Sequence, residues 1–336
     1  MNTVRLLVII LNYRTAQLAL DCLRSLEEEI ATLGDARVVV VDNASGDGSA
    51  ERIAAVIEQE GWGAWVELLP QATNGGFSAG NNRAIELALA SADTPRYVHL
   101  LNSDTVVGRG ALETLLEFMD AHPDVGLAGS RLDELDGTQQ HSRFRFPTAC
   151  GEFAQGASMR AVSTFLRDHI VAPPLVDEAH EIDWVAFASV MIRGTVFEDV
   201  GLLDEGYFMY FEDTDFALRA RRAGWSCWYV PDSRVVHLVG QSSGVTARGG
   251  RGARRPRYWF DAHARYHREN HGRLAEWWIA FVWLAGHGFG RLRRLLMMRT
   301  ETEPPWLWWD FLRYRLTWRP AGGAGRRAAA QGAPKA

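Results

Sequence analysis

Three acids fall close together, Glu212, Asp213 and Asp215, directly after the aromatic run Tyr207, Phe208, Tyr210 and Phe211. A carboxylate beside aromatic bulk is costly to bury unless a cation, hydrogen bonds or a chemical task holds it there. Asp215 and Arg219 stand one helical turn apart and can pair. Acids at the front of this stretch and Arg219, Arg221 and Arg222 at its end, before Gly224, follow the charge order that complements a helix dipole. Two roles are open: a carboxylate held at the mouth of a helix facing a cleft, or an acidic first turn that only caps the helix.

Other polar groups sit where strands should end. Asp104 closes an apolar run over 97–101, and His237 closes another over 234–236. Mg²⁺ or Mn²⁺ takes oxygen ligands readily and keeps waters and substrate phosphates, so two protein ligands suffice. Each residue also has a plain structural reading, an Asx cap for Asp104 and a half-buried strand end for His237. Asp42 follows the apolar run RVVVV and could accept the N–H of a pyrimidine ring or simply form a turn. The stretch Asn74-Gly75-Gly76-Phe77 to Gly80-Asn81-Asn82 gives tight backbone ahead of a helix, a place that can cradle a diphosphate. It is neither a Walker loop nor a GxGxxG fingerprint.

The elements that must position these groups alternate. Strands are predicted over 6–11, 37–41, 66–69 and 97–101, with helices over 17–33, 49–60 and 83–90 between them. That order calls for an α/β fold, a mixed and mostly parallel sheet flanked by helices. In such sheets ligands bind at the carboxyl ends of strands. Asp42-Asn43, Asn74 to Asn82 and Asn102-Ser103-Asp104 all fall at such ends. Residues 130–182 read as irregular. An apolar run follows over 182–192, then short strands over 226–230 and 234–236.

The chain of 336 residues is long enough for one large domain and an appendage. Residues 1–240 carry 18 basic and 35 acidic side chains, whereas 241–336 carry 18 and 6. The first part reads as a soluble domain. Residues 241–257 read as a flexible Gly/Arg-rich loop, 258–319 as a helical Trp- and Arg-rich region, and 320–336 as a disordered tail. The basic tail suggests an anionic partner such as phosphate or a membrane surface rather than nucleic acid. WWIAFVWLA over 277–285 is too short to span a bilayer, but Trp and Arg suit an interface. A peripheral membrane contact through 275–319 is therefore expected; the same composition also suits a homodimer or domain interface. Cys22, Cys150 and Cys227 show neither metal-ligand spacing nor a disulfide framework, which fits a reducing compartment. The N-terminal apolar run is too short for a leader and reads as a buried strand.

Taken in order, LNY (11–13), VDNASGDGS (41–49), NGGFSAGNN (74–82), LLNSDT (100–105), the stretch 201–225 and VVH (235–237) resemble the family 2 glycosyltransferases of the GT-A fold, within them the rhamnosyltransferase-like branch. The resemblance covers about 1–270 and rests on the six motifs in sequence. It implies that Asp42 and Asn43 bind the nucleotide, with Leu11 and Tyr13 shaping the base pocket. Gly76, Phe77 and Asn81 would line nucleotide and sugar, Asn102 would help bind the donor nucleotide, and Ser103 would lie near the ribose. Asn102 replaces the first acid of the family's DXD-type motif, so Asp104 and His237 would be the metal ligands for Mg²⁺ or Mn²⁺. Asp213 matches the catalytic base. Glu212, Asp215, Trp184 and Ser189 would contact sugar or acceptor, although Phe187-Ala188-Ser189 departs from the family's usual Gly-Ala.

The implied reaction is inverting transfer of a sugar to a hydroxyl of a glycan or lipid-linked acceptor in bacterial polysaccharide assembly. The implied place is the cytoplasm at the inner face of the membrane. L-rhamnose from dTDP-L-rhamnose is the expected donor, with a UDP-galactofuranosyl or other UDP-hexosyl donor second. A basic loop over 248–257 could close over the diphosphate. A sugar-phosphate nucleotidyltransferase would want a Gly/Arg-rich loop with a lysine after the first strand. Asn12-Tyr13-Arg14 stands there, and Lys335 is the only lysine. A non-catalytic nucleotide- or glycan-binding protein would not need Asp104, Asp213 and His237 together.

Overall fold

A computed structural model describes residues 4–238, 254–298 and 303–317. The first half follows the expected alternation: β1 (Leu6–Asn12), α1 (Ala16–Leu33), β2 (Ala36–Asp42), α2 (Ser49–Gln59), β3 (Val66–Pro70), α3 (Gly76–Leu89), β4 (Tyr97–Asn102), β5 (Thr105–Val107), α4 (Ala111–Ala121) and β6 (Val125–Asp133). The middle adds β7 (Arg143–Phe144), α5 (Ala149–Ala157), α6 (Arg160–Phe165), β8 (His180–Glu181), β9 (Trp184–Val185), β10 (Ser189–Arg193), α7 (Gly194–Val200), α8 (Glu212–Arg222) and β11 (Ser226–His237). Three helices follow, α9 (Arg257–His271), α10 (Arg273–Leu296) and α11 (Leu307–Thr317).

The main sheet runs β3-β2-β1-β4-β10-β6-β11-β5, with β8 against β11. Strands β3, β2, β1 and β4 are parallel, and a helix links each to the next along the chain, as parallel pairing needs. β10 enters antiparallel between β4 and β6, so the sheet is mixed. Side chains of β1 alternate: Leu6, Val8 and Ile10 enter a core with α1 and α4, while Leu7 and Ile9 enter the core on the other face with Phe216 of α8. Both faces are covered, which is why β1 reads as a continuous apolar run.

Several expectations need correction. Residues 76–82 are not a loop: they form the first two turns of α3, because Gly76 and Gly80 let the helix press close to its neighbours. The runs 226–230 and 234–236 are one strand, β11, kinked by a register shift between Val230 and Arg234. The segment over 182–192 is split; β9 pairs with β7 in a separate ribbon and only β10 joins the main sheet. The irregular stretch contains α5, started by the Thr148 side chain accepting from the Gly151 N–H. WWIAFVWLA and the basic residues after it belong to one helix, α10.

The C-terminal helices are packed onto the first part of the chain. Arg265 of α9 makes a two-pronged pair with Asp204, and Asn270 donates to Asp215 of α8. Helices α10 and α5 approach through glycines: a Cβ on Gly156 would lie 2.4 Å from the His287 backbone nitrogen, and one on Gly290 2.2 Å from the Gly156 carbonyl oxygen. Trp283 and Phe311 stack at 4.1 Å inside the α9–α10–α11 core, so part of the Trp-rich sequence holds helices together. Most of the expected 241–257 loop and the whole of 320–336 lie outside the described residues.

Candidate active site

Parallel register brings the strand ends together. Asn12 pairs in register with Asp42, and Leu11 with Asn102, so three polar clusters open at one edge of the sheet. The Asp42 carboxylate is buried and accepts from Asn12 Nδ2 at 2.7 Å, Ser45 Oγ at 2.6 Å and the Ser45 N–H at 3.1 Å. The turn-forming reading of Asp42 is thus realised; Oδ1 takes two of these bonds, and Oδ2, which accepts only from the Ser45 N–H, keeps acceptor capacity for a ligand N–H. Asn43 donates to Asn74 Oδ1 and to the Gly76 carbonyl, tying the β2 turn to the start of α3. Tyr13 is exposed at the rim, and Leu11 packs against Gly80.

That start of α3 is locked to the aromatic run. The Phe77 N–H donates to the Phe208 carbonyl at 2.7 Å, and Gly76 has φ +84°. A Cβ on Gly76 would sit 2.1 Å from the same carbonyl oxygen. Gly76→Ala is therefore expected to lower stability by about 1–3 kcal/mol for the left-handed backbone alone, and more for the clash. A urea midpoint unchanged from wild type would contradict this contact. Asn81 donates back to the Phe77 carbonyl within α3, whereas Asn82 joins α3 to Leu203 and Glu205. Asn82, the end of the stretch expected to cradle a diphosphate, spends its side chain on this bridge between α3 and the segment before α8.

The acid cluster sits at the amino end of α8, as its charge order implied. Tyr210 and Phe211 precede it with φ of 73° and 66°, two left-handed residues in succession. Such backbone is costly and persists only where packing holds it; here Phe211 packs on Tyr266 with ring centroids 5.5 Å apart. Asp215 is fully buried and bound to Arg219 at 2.8 Å and Asn270 at 2.7 Å, so of its two expected roles the structure shows the pairing. Glu212 is buried, and its Oε2 finds no hydrogen-bond partner; burial, then the neighbouring Asp213 charge, raises its carboxyl well above the usual range. Asp213 stays partly exposed, with Oδ1 accepting from the Thr214 N–H at 2.7 Å and from Thr214 Oγ1 at 3.1 Å. Burial outweighs those bonds and pushes its carboxyl up to about 6.

Asp213 opens into a cavity of about 420 Å³ lined also by Trp184, Tyr210, Glu212, Arg255 and Trp259. Trp184 stacks on Phe144 at 4.3 Å and donates to the Arg145 carbonyl, which fixes its ring in that wall. Ser189 does not reach the cavity. It is buried in the sheet between Ser130 and His99, because β10 turns it toward β6 and β4. A comparable cavity of about 400 Å³, near Leu7, Arg37 and Trp65, lies at the amino ends of the strands, away from these acids.

Asp104 and His237 lie side by side. Register pairs His237 of β11 with Thr105 of β5, and His237 Nε2 lies 3.5 Å from Asp104 Oδ1 and 3.5 Å from Asn102 Nδ2. His237 Nδ1 faces Gln140 Oε1 at 3.2 Å, while Gln140 Nε2 donates to the His237 carbonyl. A proton on Nδ1 satisfies that amide oxygen and leaves the Nε2 lone pair toward Asp104, the tautomer a metal ligand needs. Ser103 lies beside this pair, its Oγ 3.2 Å from Thr15 Oγ1. A second arrangement able to hold a divalent ion is Glu152, His263 and His267, with ligand atoms within 4.8 Å of one another. Sequence reading passed over it; the one trace was the His-x3-His spacing of 263 and 267.

A model of the family described as "Glycosyltransferase like family 2" matches residues 4–254, which span all of these strand ends and the acid cluster. The chain belongs to that family. An N-acetylglucosaminyl-diphospho-decaprenol L-rhamnosyltransferase of Mycobacterium tuberculosis (strain H37Rv) is 28% identical over 292 residues, covering 81% of this chain and 86% of the relative. The rhamnosyltransferase WbbL of Escherichia coli K12 is 28% identical over 171 residues, 49% of this chain and 61% of the relative. Among solved structures, the mannosyltransferase PcManGT from Pyrobaculum calidifontis, in complex with GDP-Man and Mn²⁺, superposes with a TM-score of 0.55. It is 15% identical, with 93% of this chain and 79% of that chain covered. At such identity the likeness establishes the GT-A fold alone. This family 2 glycosyltransferase of GT-A-like fold thus acts on a nucleotide-sugar donor toward a glycan or lipid acceptor.

Proposed function

We propose that the chain transfers L-rhamnose from dTDP-L-rhamnose, with inversion, to a hydroxyl of a lipid-linked or glycan acceptor. The observation that carries the donor is the likeness to the mycobacterial L-rhamnosyltransferase over 81% of the chain, acid cluster and VVH segment included. Asp213 takes the acceptor proton as the hydroxyl attacks the anomeric carbon from the face opposite the leaving group. Its raised carboxyl matches that task, since a base near neutral pH both accepts a proton and stays ionised. Asn12, Asp42 and the α3 start bind the nucleotide, Trp184 and Glu212 line the sugar and acceptor side, and Arg255 offers positive charge in the same cavity.

Asp104 and His237 are suited to hold Mg²⁺ or Mn²⁺, a buried carboxylate beside an imidazole with its lone pair aimed at it. When bound, that ion supplies positive charge to the departing diphosphate. Gln140→Ala is expected to raise the metal concentration needed for half-maximal donor turnover about 10–100-fold, with turnover recovered at high metal. A metal titration unchanged by the substitution would remove Gln140 from this role.

The donor is tested by measuring turnover of dTDP-L-rhamnose beside UDP-galactofuranose and UDP-hexoses with Mn²⁺. Preference for a UDP-sugar would replace rhamnose in this reading.

Acceptor access by a membrane surface is favoured by α10. Its inner face, with Ile279, Trp283 and His287, is buried; its outer face exposes Leu274, Trp277, Trp278, Phe281, Leu292 and Leu295 at helical spacing. An exposed apolar stripe of this size needs a cover, and Arg273 and Arg291 beside it favour anionic lipid. Among the described residues no helix is long and apolar enough to cross a membrane. Vesicles containing anionic lipid should bind the protein and lose it on Trp277→Glu with Phe281→Glu; equal binding by that variant counts against a lipid cover.

A further inference from the structure

The cluster of Glu152, His263 and His267 is built from two elements that the sequence keeps 110 residues apart, roughly. Helix α9 places His263 and His267 four residues apart, on one face, and α5 presents Glu152 to both. Glu152 Oε1 lies 3.5 Å from His263 Nε2 and 3.8 Å from His267 Nε2. Beyond these two carboxylate contacts, which are long for hydrogen bonds, no ring nitrogen of either histidine has a partner, although His263 is 1% and His267 0% exposed. Buried polar atoms are seldom left so. Aromatic rings wall His263: Phe211, Trp259 and Phe311 pack on it with ring centroids 5.7, 5.7 and 5.3 Å away.

An ion between the three groups satisfies the Nε2 of each imidazole and Glu152 Oε1 at once, each ring binding through one nitrogen. Tetrahedral zinc, with bonds of about 2.0–2.2 Å to nitrogen and oxygen, sets neighbouring ligand atoms about 3.4 Å apart. The two carboxylate–imidazole separations already match that edge to within a few tenths of an ångström. Two imidazoles and one carboxylate suit zinc better than Mg²⁺, which favours an all-oxygen shell with bound waters. We infer that Glu152, His263 and His267 form a Zn²⁺ site that fastens α9 to α5 beside the acid cluster and shares no residue with the Asp104–His237 pair. Glu152 and His263 also line the Asp213 cavity, so a water from that cavity can complete the fourth position. The site joins the C-terminal helices to the segment that carries the base, since Phe211, against His263, directly precedes Glu212.

The test uses the full chain, stripped with a chelator and titrated with Zn²⁺ alone and then with Co²⁺ as a spectroscopic substitute. One equivalent of Zn²⁺ is expected, with the intense visible bands of four- or five-coordinate Co²⁺ and slower amide exchange in α5 and α9. Glu152→Gln and His267→Gln should each weaken Zn²⁺ binding about 100-fold, whereas Asp104→Asn should leave it as in wild type. No binding by the wild-type chain, or binding lost in Asp104→Asn and kept in Glu152→Gln, overturns the site. If a variant fails to fold, the wild-type histidine ¹⁵N resonances decide. A Zn²⁺-induced shift of the two ring nitrogens of His263 and His267 supports the site, and unshifted resonances at one equivalent overturn it.

Discussion

Replacing Asp213 with asparagine is expected to cut sugar transfer about 10²–10⁴-fold, the usual worth of a positioned base, and to leave donor binding in place. The substitution is nearly isosteric, and the asparagine oxygen can still accept from the Thr214 N–H and Oγ1. Stability should not fall with activity. Burial raises the Asp213 carboxyl from its ordinary value to about 6, so the charged form costs the folded state free energy as pH rises through that range. Asparagine removes that cost, and Tm at pH 7 should equal or exceed that of wild type. The same shift sets the pH profile of the wild-type enzyme. The base must be ionised, so transfer should rise with pH, reach half its plateau near about 6 and then level off. Isothermal titration with donor, a thermal melt and initial rates over pH 5–8 check all three points. Transfer at wild-type rate by the variant would move the base elsewhere, with Glu212 the next carboxyl to examine.

The second large effect is expected at His237. His237→Ala should lower donor turnover about 10²–10³-fold at a Mn²⁺ concentration that saturates wild type, the range typical of losing one electrostatic support for a leaving group. Asp104→Asn should fall in the same range. The two losses should not add, because both report on one ion, and a double variant should be little worse than either single one. The fold should survive: the His237 side chain is 16% exposed at a strand end, and its backbone still pairs with β5. Mn²⁺ titrations of turnover, with chelator as the zero point, read these effects. Wild-type turnover in excess chelator would end the metal role of this pair. Gln140→Ala should move the same titration in the same direction by less, since it acts through the His237 ring.

Much of the site was legible because it depends on short-range rules. Apolar runs of strand length between amphipathic helices gave the parallel half of the sheet with edges right to a residue or two, and parallel register then aligned the strand ends. The acids of α8 announced themselves by charge order along one helix. Where the reading failed, the deciding contact came from far along the chain. Gly76 to Asn82 looked like a loop until Phe208 closed on Gly76. Ser189 looked like a pocket residue until β10 was inserted between β4 and β6 and buried it. Asp215 had two open roles until Asn270 of α9 took its second oxygen.

The sequence by itself determined the α/β order, the family, and which acids and histidine stand at element ends, because periodicity and motif spacing are properties of neighbouring residues. Only the tertiary structure decided which of those groups keep a free face. It buried Asp215 in an ion pair, left Asp213 partly open in a cavity, and brought Glu152 to His263 and His267. The reason is that burial and partnership are set by what packs across an interface, and no local pattern encodes the far side.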